Sequence, residues 1–355
     1  MGLLYIASDA LGTGGTAVSA ALATFWRRAG VRVALCKPLA LDQEDVRVDG
    51  ASHAQGTGED DAGFETQVLQ GTVLDPAQAD AIAARVQQFA QGHDVVLVDG
   101  LPLNQPNGTP LEAASTLALR LGGSVLGVLR YAPELDARAI VQQWREAFGD
   151  ALAGLLINRR TRYAGHDVED RLAPAIRATG VDILGVLPEE RMMLAPTVRQ
   201  VAEHLRAEFY TWASEDYRLV EQFIIGGLIL EWGGNYFGRH PNQAVIVRGG
   251  RTDIAMSALN FPMSCLILTG CSEPPQYVYQ RAGDQGVPLM VVSQGTIEVA
   301  ASLETVHQRT SVHHPAKFER LADLLVGHLD WDLAYAAAGL PGAENPFRPS
   351  LLPPP

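Results

Sequence analysis

The chain has 355 residues, 47% apolar and 19% charged, with 27 basic and 40 acidic side chains and a net charge of −13. This describes a folded chain with room for two ordinary domains, not a disordered one. The acidic balance excludes general affinity for nucleic acid or an anionic membrane surface, but not a local basic pocket.

The first element is an apolar run, Leu3 to Ala7, read as a strand. It enters the loop Ser8-Asp9-Ala10-Leu11-Gly12-Thr13-Gly14-Gly15-Thr16, and an Ala-rich amphipathic helix, Ala17 to Ala29, follows. Strand, glycine loop and helix form the geometry in which backbone N–H groups and a helix N-terminus cradle phosphate. Gly15 stands where a P-loop carries its lysine, and no basic residue lies between Met1 and Trp26. The competing reading of the loop alone is a tight turn between a strand and a helix.

Val31 to Cys36 is a second strand, stopped by Lys37-Pro38. Residues 41–63 are polar, acidic and Gly-rich and read as a loop or mobile flap. Asp75-Pro76 opens a helix to about Gln91, and Asp94 to Asp99 is a β-branched run typical of a buried parallel strand. Strands at Ser124 to Leu129, Ala153 to Ile157 and Val181 to Leu187 alternate with helices at Asp136 to Phe148, His166 to Thr179 and Thr197 to Leu205. This alternation implies βαβ units and a parallel sheet. Ligands bind such sheets at the carboxyl ends of the strands. Lys37, Asp99, Asn158 and the opening loop all fall there.

Residues 207–218 read as a connector. A smaller α/β pattern follows, with strands at Phe223 to Ile225, Ala244 to Val247, Cys265 to Leu268 and Leu289 to Val292. Its helices fall at Leu228 to Tyr236, Ile254 to Leu259, Tyr277 to Asp284 and from Ile297 onward. A last helix covers Pro315 to Leu329, and the tail from Pro341 is Pro-rich. Cys36, Cys265 and Cys271 have neither metal-ligand spacing nor the even number of a disulfide framework. The N-terminus does not read as a signal peptide, and the most apolar later stretch, Phe223 to Leu230, is too short to span a bilayer. The expected compartment is the cytoplasm.

The loop Ser8 to Thr16, Lys37-Pro38, Asp61-Ala62-Gly63-Phe64, Val98-Asp99-Gly100, Gly154 to Asn158 and Leu184 to Pro188 share an order and spacing. Through them residues 1–206 resemble the dethiobiotin synthetase family and, more closely, the synthetase-like domain of some phosphotransacetylases. The resemblance implies an α/β fold with a P-loop-type, mostly parallel sheet flanked by helices. It implies nucleotide binding by Gly12, Thr13, Gly14, Gly15 and Thr16, with Asn158 at the base. It sets Lys37 toward a substrate carboxylate or phosphate, and Thr16, Asp61 and Asp99 around Mg2+, with ATP or ADP as the ligand. From the residues alone, Lys37 also suits a snorkelling strand-end lysine, Asp61 a solvated loop acid, and Asn158 a cap or turn. Gly15, Gly12 and Thr13 depart from the family's pattern. Loss of the lysine weakens catalysis more than binding.

Ile225-Gly226-Gly227, Val245 to Asp253, Ala255 to Leu259, Leu266 to Gly270 and Gly286 to Leu289 resemble the DRTGG domain, over about Ser214 to Val306. That domain accompanies the synthetase-like module in phosphotransacetylases, and the resemblance implies a regulatory or dimer-forming role. Arg251 and Asp253 sit at a helix start; a cap with a local ion pair is favoured there over an anion site.

The expected organisation is a P-loop-type domain with a degenerate loop at 1–206, a connector at 207–213, a DRTGG domain plus C-terminal helices at 214–335, and a tail at 336–355. On this organisation, no long segment is expected for a phosphotransacetylase catalytic domain. The expected function is that of a dimeric, cytoplasmic nucleotide-binding or nucleotide-sensing regulatory protein with little or no ATP hydrolysis, serving a partner enzyme. Its ligand is a nucleotide or other phosphorylated small molecule. The alternatives are an ATP-dependent ligase of the dethiobiotin synthetase or cobyrinic acid a,c-diamide synthase type, and a dimeric scaffold that binds no ligand.

Overall fold

Six apolar runs assemble into one parallel sheet. The computed structural model, which describes residues 1–42, 64–105, 107–227 and 233–341, begins with β1 (Gly2–Ser8), the glycine loop and α1 (Gly15–Arg28). There follow β2 (Val33–Cys36), the short pair β3 (Leu39–Ala40) and β4 (Gln67–Val68), α2 (Pro76–Phe89) and β5 (Val95–Pro102). The unit continues through α3 (Glu112–Leu121), β6 (Ser124–Arg130), α4 (Ala137–Phe148), β7 (Leu152–Arg160), α5 (Ala173–Arg177) and β8 (Ile183–Pro188). The sheet order is β2-β5-β1-β6-β7-β8, with every pairing parallel. Helices cover both faces, so the strands are near-continuous apolar runs: Leu4 to Ala7, Val95 to Val98 and Leu155 to Ile157 are all buried. α2 starts where the sequence dictates. Asp75 accepts from the Ala77 N–H at 2.8 Å, and Pro76 fills the position that needs no donor. Helix α3 was not anticipated from the sequence.

The second compact unit, Glu190–Val312, is built on a five-stranded sheet of order β10-β11-β12-β13-β9. Its elements are α6 (Val198–Leu205), β9 (Glu208–Thr211), β10 (Gln222–Ile225), α7 (Gly233–Phe237), β11 (Gln243–Arg248) and α8 (Thr252–Ala258). β12 (Cys265–Thr269), α9 (Gln276–Asp284), β13 (Leu289–Val292) and α10 (Thr296–Leu303) complete it. Val245, Val247, Leu266, Leu268, Leu289 and Val291 feed one core. The alternate residues Ala244, Ile246, Cys265, Ile267, Met290 and Val292 feed the other, as the period of two requires. β9 lies inside the expected connector. It pairs antiparallel with β13 at the sheet edge, so its half-exposed Glu-Phe-Tyr-Thr pattern lacks the apolar continuity of the parallel strands. The expected helix Leu228 to Tyr236 is described only from Gly233, as α7.

The last two helices, α11 (Pro315–His328) and α12 (Trp331–Ala337), return to the first unit, which comprises Met1–Glu189 and the segment from His313. The sequence reading grouped them with the DRTGG domain. Their place follows from α1, whose residues Ala17 to Trp26 are all buried and so need cover on every side. Phe25 stacks on Trp331 with ring centroids 3.8 Å apart. Arg28 pairs with Asp323 at 3.0 Å and with Glu319. Among the described residues no helix is long and apolar enough to cross a membrane.

Candidate functional site

The carboxyl edge of the first sheet gathers the glycine loop after β1, Lys37 just past β2, Asp99 in β5, Arg130 at the end of β6, and Asn158 and Arg159 among the last residues of β7. Gly14 caps α1 at φ 111°, and Gly12 has φ 75°, backbone that glycine adopts at little cost. A Cβ on Gly14 would lie 2.5 Å from Asn158 Nδ2. The Asn158 amide therefore passes directly against the loop. Nδ2 donates to the Thr13 carbonyl at 2.8 Å, and Oδ1 accepts from the Arg159 N–H at 2.9 Å. Asn158 thus acts as a turn residue that fastens the loop, and both ends of its amide are engaged.

Asp9 organises the loop from below. Its Oδ1 accepts from the Ala10 N–H at 2.8 Å and from the Thr13 hydroxyl, and the Arg130 N–H also donates to it. Burial pushes this carboxyl above its ordinary range, against those hydrogen bonds. Asn104 donates its backbone N–H and its side-chain Nδ2 to the Asp9 carbonyl at 3.1 and 3.0 Å.

Lys37 Nζ stands 3.6 Å from Asp99 Oδ2, with side chains 10% and 1% exposed. The pairing accounts for an acid closing a buried strand: each charge compensates the other's desolvation. Asp99 lies in register with Ile6 of β1, beside the loop strand. Thr16 is half-buried in the first turn of α1. Gly15 begins that turn, and a Cβ there would meet Ser8 Cβ at 3.4 Å, an ordinary contact. Neither backbone angle nor packing at Cβ excludes a side chain at Gly15. Asp61 lies outside the described residues, among which no three His, Cys, Asp or Glu converge as a metal-binding group.

In the second unit Arg251 and Asp253 pair through Nε–Oδ1 at 3.0 Å and Nη2–Oδ2 at 2.8 Å, at the exposed start of α8. Hydrogen bonding from Arg251 holds the Asp253 carboxyl below its ordinary range. The two side chains engage each other.

Sequence reasoning passed over Asp9, Arg130 and Arg159. The strand-end rule that selected Asn158 also reaches Arg130 once β6 is extended by one residue, and Arg159 follows Asn158 directly.

Residues 200–306 match the DRTGG domain. A phosphate acetyltransferase of Pseudomonas putida is 25% identical over 96% of this chain and 52% of its own length. An ATP-dependent dethiobiotin synthetase of Mycobacterium avium is 31% identical over 55% of this chain and 90% of its own. The chain belongs to the dethiobiotin synthetase family. It joins this family's fold to a DRTGG domain and spans about half the length of the phosphate acetyltransferases it matches. Among solved structures, the cell division protein MinD of Aquifex aeolicus is 18% identical, with a TM-score of 0.34, covering 54% of this chain and 83% of that one.

Proposed function

We propose that this chain is a nucleotide-binding regulatory protein with little or no ATP hydrolysis, counterpart to the half of phosphate acetyltransferase that it matches. One observation carries the reading. The glycine loop keeps positive-φ glycines at its turn and an N-terminal helix cap, while Gly15 stands at the lysine position. Backbone N–H groups at the helix start bind phosphate without the lysine. The charge that develops during phosphoryl transfer goes unserved.

Of the described residues, Thr16 and Asp99 would hold a Mg2+ ion arriving with the nucleotide, a hydroxyl and carboxylate that suit this hard cation. The ion would neutralise phosphate charge. Lys37 keeps the Asp99 carboxylate paired and oriented at the strand end. Asn158 holds the loop at Thr13 and so fixes its N–H groups for the phosphates. In this reading the DRTGG domain transmits the bound state within a homodimer to a phosphate acetyltransferase-type catalytic partner.

Calorimetric titration with ATP and ADP, with and without Mg2+, tests the reading when paired with a phosphate-release assay. Saturable binding with phosphate release no faster than in the Asp99→Asn variant is expected. Absence of binding at millimolar nucleotide would overturn it.

A second reading, an ATP-dependent ligase, is favoured by the 31% identity over 90% of a dethiobiotin synthetase. It requires nucleotide turnover that depends on a carboxylate-bearing co-substrate, and the same phosphate-release assay detects it.

A further inference from the structure

We propose that Arg159, together with Arg130, binds the phosphate oxygens of a ligand seated on the glycine loop, supplying the positive charge that Gly15 does not. The inference rests on the phosphate-cradle reading above and names the residues that complete it.

Arg130 pairs in register with Asn158 across β6 and β7, and Arg159 is the next residue. Both adjoin groups that touch the loop: Asn158 donates to the Thr13 carbonyl, and the Arg130 N–H donates to the Asp9 carboxylate. The two residues thus stand on the β6–β7 side of the loop. Lys37 and Asp99 belong to the opposite side of β1, toward β5 and β2.

Lys37 faces Asp99, and Arg171 faces Asp167 at 2.6 Å. Arg159 is half-buried, yet among the described residues neither it nor Arg130 has a carboxylate within 4 Å. Burial, and then the charge of Arg130, hold the Arg159 guanidinium below its ordinary range; Glu189 alone opposes them. Arg130 is exposed and Arg159 half-buried, and two like charges brought together are unfavourable until an anion joins them.

The backbone supplies a third observation. Arg159 sits at φ 58°, in the left-handed region that side chains other than glycine, asparagine and aspartate seldom adopt. A strained, half-buried arginine beside a glycine loop is the kind of outlier that points to a site. The guanidinium fork matches phosphate oxygens bidentately, which a single lysine cannot do. The shared ligand chemistry is a di- or triphosphate, and inorganic pyrophosphate separates it from the nucleoside.

The test titrates the full chain with pyrophosphate and with ATP, in wild type and in Arg159→Gly, Arg159→Lys and Arg130→Gln. Glycine at 159 removes the guanidinium and relaxes the backbone, so the variant folds, which thermal melting verifies. Arg138→Ala, in an exposed position of α4, serves as the control. The expected result is a loss of affinity of about tenfold or more for both ligands in Arg159→Gly and Arg130→Gln, an intermediate loss in Arg159→Lys, and none in Arg138→Ala. If wild type and Arg159→Gly bind both ligands equally, the arginine assignment falls and the nucleotide reading stands. If wild type binds pyrophosphate through Arg159 but does not bind ATP, the assignment stands and the nucleotide reading falls. Binding of neither ligand would overturn both.

Discussion

Asn158 reaches from the end of β7 to the backbone of the glycine loop, where its Nδ2 donates to the Thr13 carbonyl at 2.8 Å. It is buried, so the bond is shielded from water at both ends. Replacing Asn158 with Ala leaves the Thr13 carbonyl without this donor. The expected loss of stability is about 1–3 kcal/mol, read from the midpoint of a urea transition. Affinity for ATP should fall in parallel because the loop loses its fixed shape. A variant with wild-type stability and affinity would show that the loop does not depend on this contact.

Much of the fold was legible in the sequence. Val95 to Val98 is β-branched or leucine at every position because helices cover both faces of its strand, and that continuity identifies it. β9 escaped notice for the opposite reason: Glu208 to Thr211 form an antiparallel edge, half-exposed and carrying a charge. The place of α11 was not legible either. Its packing on α1 joins residues some 300 positions apart, and the local pattern of α1 reads as amphipathic whichever partner covers it. At the site, strand-end logic found Lys37, Asp99 and Asn158. It did not find the engagement of Lys37 with Asp99, or of Asn158 with Thr13, because side-chain pairing across strands is set by register and not by spacing.

The Lys37–Asp99 pair gives a prediction about stability. Lys37→Met leaves the Asp99 carboxylate buried beside an apolar side chain, and the expected cost is about 3–5 kcal/mol. Adding Asp99→Leu to Lys37→Met should recover most of that loss, because the uncompensated charge is then gone. Chemical denaturation of the two single variants and the double variant closes the cycle. Additive losses would mean that the pair is not coupled.

Lys317 of α11 is 1% exposed, and burial lowers its ammonium to about 8 from an ordinary 10.5. Between those values the unfolded chain binds more protons than the folded one, so stability should rise as pH increases from about 8 to 10.5. Below pH 8 both states are protonated and the full penalty persists, on the order of 3 kcal/mol. Lys317→Met should remove the rise and stabilise the protein at neutral pH. Denaturation midpoints measured across that pH range decide the matter; a wild-type profile no steeper than that of the variant would contradict it.

Gly15→Lys restores the residue that a P-loop carries. A Cβ at this position makes only ordinary contact with Ser8, so the variant should fold with unchanged melting behaviour. Its affinity for ATP should rise by about tenfold, the worth of one charge-assisted contact to phosphate. A rise in phosphate release beyond wild type would show that the remaining machinery is competent. Unchanged affinity in a folded variant would mean that a lysine at this position does not reach the bound phosphate.

A glycine loop that holds a nucleotide and leaves it intact retains ATP through a long incubation. Equilibrium dialysis against radiolabelled ATP with Mg2+, followed by chromatography of the bound fraction, tests this directly. Saturable retention of label on wild type, recovered as ATP after prolonged incubation, and reduced retention in Asn158→Ala are expected. Label that does not bind, or that is recovered as ADP faster than from the Asp99→Asn variant, would contradict it.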